Sequence, residues 1–340
     1  MSSPPRSRRW RRTATTTPWV TRWETPGWSR RDAPSGPQVT ARSRAVVAVL
    51  VAAALFGTSA TTLALLAPDA PGPSVAAMRL LVGAAGLVLV VVAVGGRDDL
   101  LRAYRRPTVW IMGAAVAGYQ ALFFMGASRA GVAVGTLISL AAAPFLAGIL
   151  GWILREGAPG WTWVASTVIA VSGLALLVST NLDVEEPVGM LYALGAGACY
   201  AVYTVIGVRL AREGIPPSAV LAASFSLGAV VLLPAAVTST WWFSVEGVVA
   251  VLWLGLVATT LAYLLFGMGL RLLQPGHIAT LNLFEPVVAT ILGVLVLGEQ
   301  LGMAGWAGTA LVLVALGLLG LGGTRPSHRA HADEKEEMTR

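Results

Sequence analysis

Ten stretches of about 20 consecutive apolar residues constrain this chain more than any other feature, because that is the length a helix needs to cross the hydrocarbon core of a bilayer. They lie near residues 45–66, 74–94, 108–127, 131–154, 161–179, 188–210, 218–237, 247–270, 277–297 and 302–323. No water reaches that core, so each segment must satisfy its own backbone N–H and C=O groups, which selects the helix. The links carry the breakers: APDAPGP at 67–73, GRDDLLRAYRRP at 96–107, LDVEEP at 182–187 and REGIPP at 212–217. The pattern predicts an all-α integral membrane protein with ten transmembrane helices.

Composition excludes several other classes. Only 12% of the residues are charged, where a soluble domain carries about 25%. The net charge of +7 does not point to nucleic acid, since ten of the 24 basic residues fall in the first 44 positions. Cys199 is the single cysteine, and His277, His328 and His331 are the three histidines. That leaves neither a disulfide framework nor a Cys/His metal cluster. No metal, cofactor or nucleic-acid partner is expected. The partners expected are the lipid bilayer and a small-molecule substrate, with a homodimer left open.

Residues 1–43, with SRRWRR and four tryptophans, read as a disordered basic cytoplasmic tail that can touch anionic headgroups. Residues 324–340 read as a second charged cytoplasmic tail. With the N-terminus inside, the inner loops hold Arg97, Arg102, Arg105, Arg106, Arg155, Arg209, Arg212 and Arg271. The outer loops hold Arg129 and most of the loop acids: Asp69, Asp183, Glu185, Glu186 and Glu246. This bias places both termini in the cytoplasm.

The two halves repeat. A shift of 142 residues puts Gly113 on Gly255, Phe124 on Phe266, Arg129 on Arg271, Pro144 on Pro286 and Ile149-Leu150-Gly151 on Ile291-Leu292-Gly293. A shift of 144 puts Pro73-Ser74 on Pro217-Ser218. Residues 44–180 and 187–323 therefore form two five-helix repeats. Five is odd, so the second repeat enters the membrane in the opposite sense. Inverted repeats of this kind build many secondary transporters, with the substrate site near the midplane between the halves.

Specific segments also resemble a known family. EPVVATILGVLVLGEQL at 285–301 is similar to the EP…LGE signature of EamA-type transporters in the drug/metabolite transporter superfamily. APFLAGILGWILREG at 143–157 resembles it less, with Ala143 where the acid would stand. LFGTS at 55–59 and AAMRLLVGA at 76–84 resemble the first two helices of that unit. The resemblance covers roughly residues 45–323. It implies export of small metabolites, amino acids or drugs across the plasma (inner) membrane by alternating access.

Two charges stand well inside the spans, Arg79 in the second and Glu285 in the ninth. An ionisable group there costs a few kcal/mol and usually faces a cavity or a partner. Glu285 reads as a proton or cation site, as the partner of a substrate amine, or as a structural partner of Arg79 or of free helix-end N–H groups. Arg79 reads as the holder of a substrate carboxylate or as a snorkelling side chain. If both line one cavity, a zwitterion suits them. Asn282, Tyr119, Tyr203 and Tyr263 are candidate lining residues, with Gln120 and Tyr200 beside them. Pro144 and Pro286 are candidate helix breaks. Glu156 and Glu299, at the ends of the fourth and ninth spans, read as loop-fixing residues.

The chain is not expected to be an enzyme. His277 and Cys199 stand alone, no span carries paired carboxylates, and no GxxxxGK[ST] phosphate loop occurs. A receptor or scaffold without transport and an integral-membrane enzyme are the alternatives.

Overall fold

The computed structural model describes residues 36–157, 160–179 and 187–322. The two tails, SRRWRR, His328 and His331 among them, lie almost wholly outside the described residues. From Gln38 onward the described chain belongs to one compact unit, and among the described residues every regular element is helical.

The first repeat contains α1 (Gly36–Leu66), α2 (Gly72–Ala93), α4 (Pro107–Ala130), α5 (Val132–Ile153) and α6 (Trp161–Leu177). A short helix, α3 (Arg97–Tyr104), lies in the predicted link at 96–107, with Leu100 and Ala103 buried and Asp98 and Asp99 in its first turn. The second repeat contains α7 (Pro187–Arg212), α8 (Pro217–Ala236) and then one span of three pieces: α9 (Val245–Leu252), a π-helical stretch (Trp253–Leu261) and α10 (Ala262–Leu272). It ends with α11 (Pro275–Leu281), α12 (Phe284–Leu297) and α13 (Met303–Gly322). Nine helical spans are long and apolar enough to cross a membrane, and α6 is a shorter apolar tenth of 17 residues. The ten-helix expectation fits. α1 starts at Gly36, ahead of the predicted start of its span.

Prolines begin many of these helices. Pro73, Pro107, Pro217 and Pro275 occupy first-turn positions. The N–H they lack has no intrahelical acceptor there, and their fixed φ suits the helix.

The packing follows the repeat. Matching helices meet across the two halves: α2 on α8, α6 on α13, and α5 on α11. The third span of each repeat also packs on the second helix of the other, as α4 on α8 and the π stretch on α2. Inside a membrane the helices gain little from the hydrophobic effect against one another, so close van der Waals contact must hold them. Gly173 and Gly308 supply it for α6 and α13: a Cβ on Gly173 would stand 2.8 Å from the Gly308 carbonyl oxygen. Gly57 does so for α1, where a Cβ would stand 2.7 Å from the carbonyl oxygen of Glu285 on α12. Large apolar side chains such as Leu89, Leu191 and Val230 remain outside, 67–69% exposed, where lipid would lie.

The two candidate helix breaks behave differently. Pro144 does not break its helix, because α5 runs on through it from Val132 to Ile153. The ninth span does break, but at Asn282 and Leu283, just ahead of Pro286. Residue 286 offers no N–H to the Asn282 carbonyl, which accepts the Glu285 N–H instead at 3.0 Å. Leu283 N–H likewise reaches only three residues back, to Thr280. Pro286 thus falls in the first turn of α12, where its missing donor costs little.

The two helix-end glutamates also differ. Glu156, 7% exposed, accepts from Arg212 Nη1 at 2.9 Å on Oε2 and at 2.6 Å on its carbonyl. It ties the end of α5 to the end of α7. Arg155 before it takes φ 61°, a left-handed conformation that closes the helix. Glu299 is exposed and folds back over Gly293 of its own helix.

Candidate functional site

Arg79 lies seven residues into α2, roughly 10 Å along the helix axis. Its side chain is half-buried, and its Nε donates to Thr259 Oγ1 of the π stretch at 3.1 Å. It opens onto a narrow cavity lined by Arg79, Leu80, Val116, Tyr119, Gln120, Tyr203, Phe225, Thr259 and Tyr263. These residues come from α2, α4, α7, α8, the π stretch and α10. Both repeats therefore contribute walls, and Arg79, Tyr119, Tyr203 and Tyr263 come together there.

The aromatic rings form two groups beside it. Tyr203 lies 4.8 Å from Tyr200 and 6.3 Å from Tyr119 between centroids. Tyr263 lies 4.4 Å from Phe225 and 4.9 Å from Phe56. Most contacts are tilted or edge-on, the arrangement the ring quadrupole favours.

Glu285 is half-buried on the second residue of α12 and lies outside the immediate cavity wall. Asn282, 5% exposed, donates from Nδ2 to Glu285 Oε2 at 3.3 Å. The Asn282 Oδ1 is buried without a hydrogen-bond partner among the described residues. Glu285 lies near Arg79, Tyr119 and Tyr263. Yet among the described residues no ion pair joins it to Arg79.

The repeat alignment sharpens this. Ala143 stands opposite Glu285 under the 142-residue shift, and Ala223 opposite Arg79 under the 144-residue shift. Both alanines are buried, at 4% and 0% exposure. Each repeat contributes one charge, and each charge breaks the symmetry.

Thr259 was not singled out by sequence. Threonine is ordinary in membrane helices, and nothing in WLGLVATTL announces a π turn. His277 lies elsewhere, with Gln274 and Trp163 beside a separate small cleft at the start of α11. Among the described residues no group of three His, Cys, Asp or Glu side chains gathers to hold a metal.

The site carries polar side chains and is shared by two inverted halves. The EamA-like transporter family model matches residues 43–179 and 187–321, one copy on each half. The chain belongs to the EamA-like transporter family. It is 37% identical over 272 residues to the uncharacterized transporter YwfM of Bacillus subtilis (strain 168), covering 79% of this chain and 90% of that protein. It is 30% identical over 281 residues to the threonine/homoserine exporter RhtA of Escherichia coli (strain K12), covering 81% of this chain and 88% of that one. A solved crystal structure at 22% identity superposes with a TM-score of 0.73 over 84% of this chain and all of its own, which shows the shared fold. The protein is a multi-pass membrane transporter with the ten-helix architecture of its family.

Proposed function

We propose that this EamA-family transporter exports neutral amino acids across the plasma membrane by alternating access, holding the substrate carboxylate at Arg79 and its ammonium group at Glu285. One observation carries this reading: two opposite charges, one from each repeat, lie near the same tyrosines, Tyr119 and Tyr263, without pairing with each other. A zwitterion satisfies both and leaves the site neutral, which a charged side chain on the substrate would not. Removing water from two unpaired charges is expensive, and a ligand that pairs with each offsets that cost. The printed role of RhtA as a threonine/homoserine exporter supports an amino-acid substrate. The excess of arginine on one set of loops supports cytoplasmic termini.

Because each charge belongs to a different repeat, rocking the repeats against one another changes the distance between them. The bound zwitterion is then the element that couples the two halves. Purified protein in liposomes preloaded with unlabelled amino acid should take up radiolabelled L-threonine, L-homoserine or L-leucine by counterflow, and the Arg79→Gln protein should do so at a much reduced but measurable rate. Absence of flux for all three, or unchanged flux in Arg79→Gln, contradicts the reading.

A further inference from the structure

The guanidinium at the cavity is held by an element that the first repeat lacks. Thr259 and Thr260 lie side by side in the π-helical stretch Trp253–Leu261, at 1% and 7% exposure. Thr259 Oγ1 donates its proton to the Leu254 carbonyl at 2.8 Å. With that proton committed, the oxygen turns a lone pair to Arg79, whose Nε donates to it at 3.1 Å. Thr260 Oγ1 lies 3.1 Å from the Gly83 carbonyl oxygen of α2 and 3.0 Å from that of Gly255, and fastens the two elements together. Gly83 and Gly86 of α2 admit this approach, since a Cβ at either would collide with the side chain of Thr259 or Thr260.

In the first repeat the aligned residues are Ala117 and Gly118, inside the uninterrupted helix α4 and without a hydroxyl. Ala223 stands there in place of Arg79. The wide turn, the two hydroxyls and the arginine occur together at one of the two equivalent contacts. π-turns are rare and recur where a helix must place a particular group. Here the turn places Thr259.

We infer that Thr259 is a positioning residue for Arg79. It holds Nε so that the two Nη groups form a preset edge towards the cavity, suited to grip a carboxylate through two parallel hydrogen bonds. Without the tether, the arginine must give up rotamer freedom on each binding event. Substrate affinity then falls while the conformational cycle keeps its rate. This rests on the assignment of Arg79 to the substrate carboxylate.

Counterflow kinetics with L-threonine, and with L-threoninamide as competitor, test it. Thr259→Val keeps the side-chain shape and removes the hydroxyl. It should raise the half-saturation concentration about tenfold, the effect of one hydrogen bond to a charged group. The maximal rate should stay within about twofold, the signature of lost ground-state binding. The preference for threonine over its carboxamide should fall by the same factor, and Thr259→Ser should restore both. An unchanged half-saturation concentration in Thr259→Val, or equal losses in the valine and serine proteins, overturns the positioning role. Should Arg79→Gln sharply reduce flux while Thr259→Val keeps wild-type kinetics, the proposed function stands and this inference alone fails. Should wild-type protein move no amino acid, both fail together.

Discussion

Arg79 and Glu285 stand where an ionised side chain costs about 3 kcal/mol on insertion scales. Each survives in a half-buried place with a hydrogen-bonding neighbour, Thr259 for one and Asn282 for the other. A carboxylate at this depth that is not paired with the arginine is also suited to carry a proton. If it does so during the cycle, Glu285→Gln abolishes uphill amino-acid accumulation driven by an imposed proton gradient, while counterflow exchange persists at a reduced rate. Reconstituted vesicles with and without the gradient measure both, and uphill transport at the wild-type rate would assign Glu285 a structural part. At this scale the sequence was informative where chemistry was scarce. Two charges among so many apolar residues cannot be overlooked, and the tyrosines followed as the polar aromatics available to line a site. Thr259 escaped because its importance comes from a backbone form, and that form depends on contacts with α2 that no local pattern records.

The elements show the same division. Span lengths, proline starts and the polar links were legible, because the bilayer fixes the first and proline's missing N–H fixes the second. The helix break in the ninth span was half legible. Pro286 marked it, but the interruption falls at Asn282 and Leu283, because the displaced carbonyl takes the nearest N–H. Pro144 carries the same residue in an unbroken helix, so proline alone does not decide the outcome. The contact between α2 and the π stretch is the tightest test of packing here. Gly83→Val should lower the melting temperature of the purified protein markedly, since its methyl groups have no space beside Thr259 and overpacking costs about 1–3 kcal/mol or more. Gly317→Val on α13, with nothing within 4 Å of the added carbon, should leave it almost unchanged. Equal melting temperatures for the two proteins would contradict the packing described.

For the whole molecule, an odd number of helices per repeat makes the two halves inverted, and the arginine bias predicts that both termini face the cytoplasm. Two loop residues can report it. In a protein with Cys199→Ala, a membrane-impermeant maleimide added outside intact cells should label Glu246→Cys and spare Asp98→Cys until the membrane is opened. The reverse pattern would invert the topology. The duplication was legible from matched prolines, glycines and loop spacing. What the alignment also held, once burial was known, is that both charges face alanines in the other half, so a symmetric scaffold carries an asymmetric site. That asymmetry suits one zwitterion that bridges Arg79 of the first repeat and Glu285 of the second. Competition counterflow tests it most directly, with L-threonine measured against its carboxamide and its N-acetyl derivative. Wild-type protein should reject both analogues, Arg79→Gln should lose its discrimination against the carboxamide alone, and Glu285→Gln should lose its discrimination against the N-acetyl compound alone. Wild-type acceptance of either analogue as well as threonine, or the same selectivity in all three proteins, would contradict it.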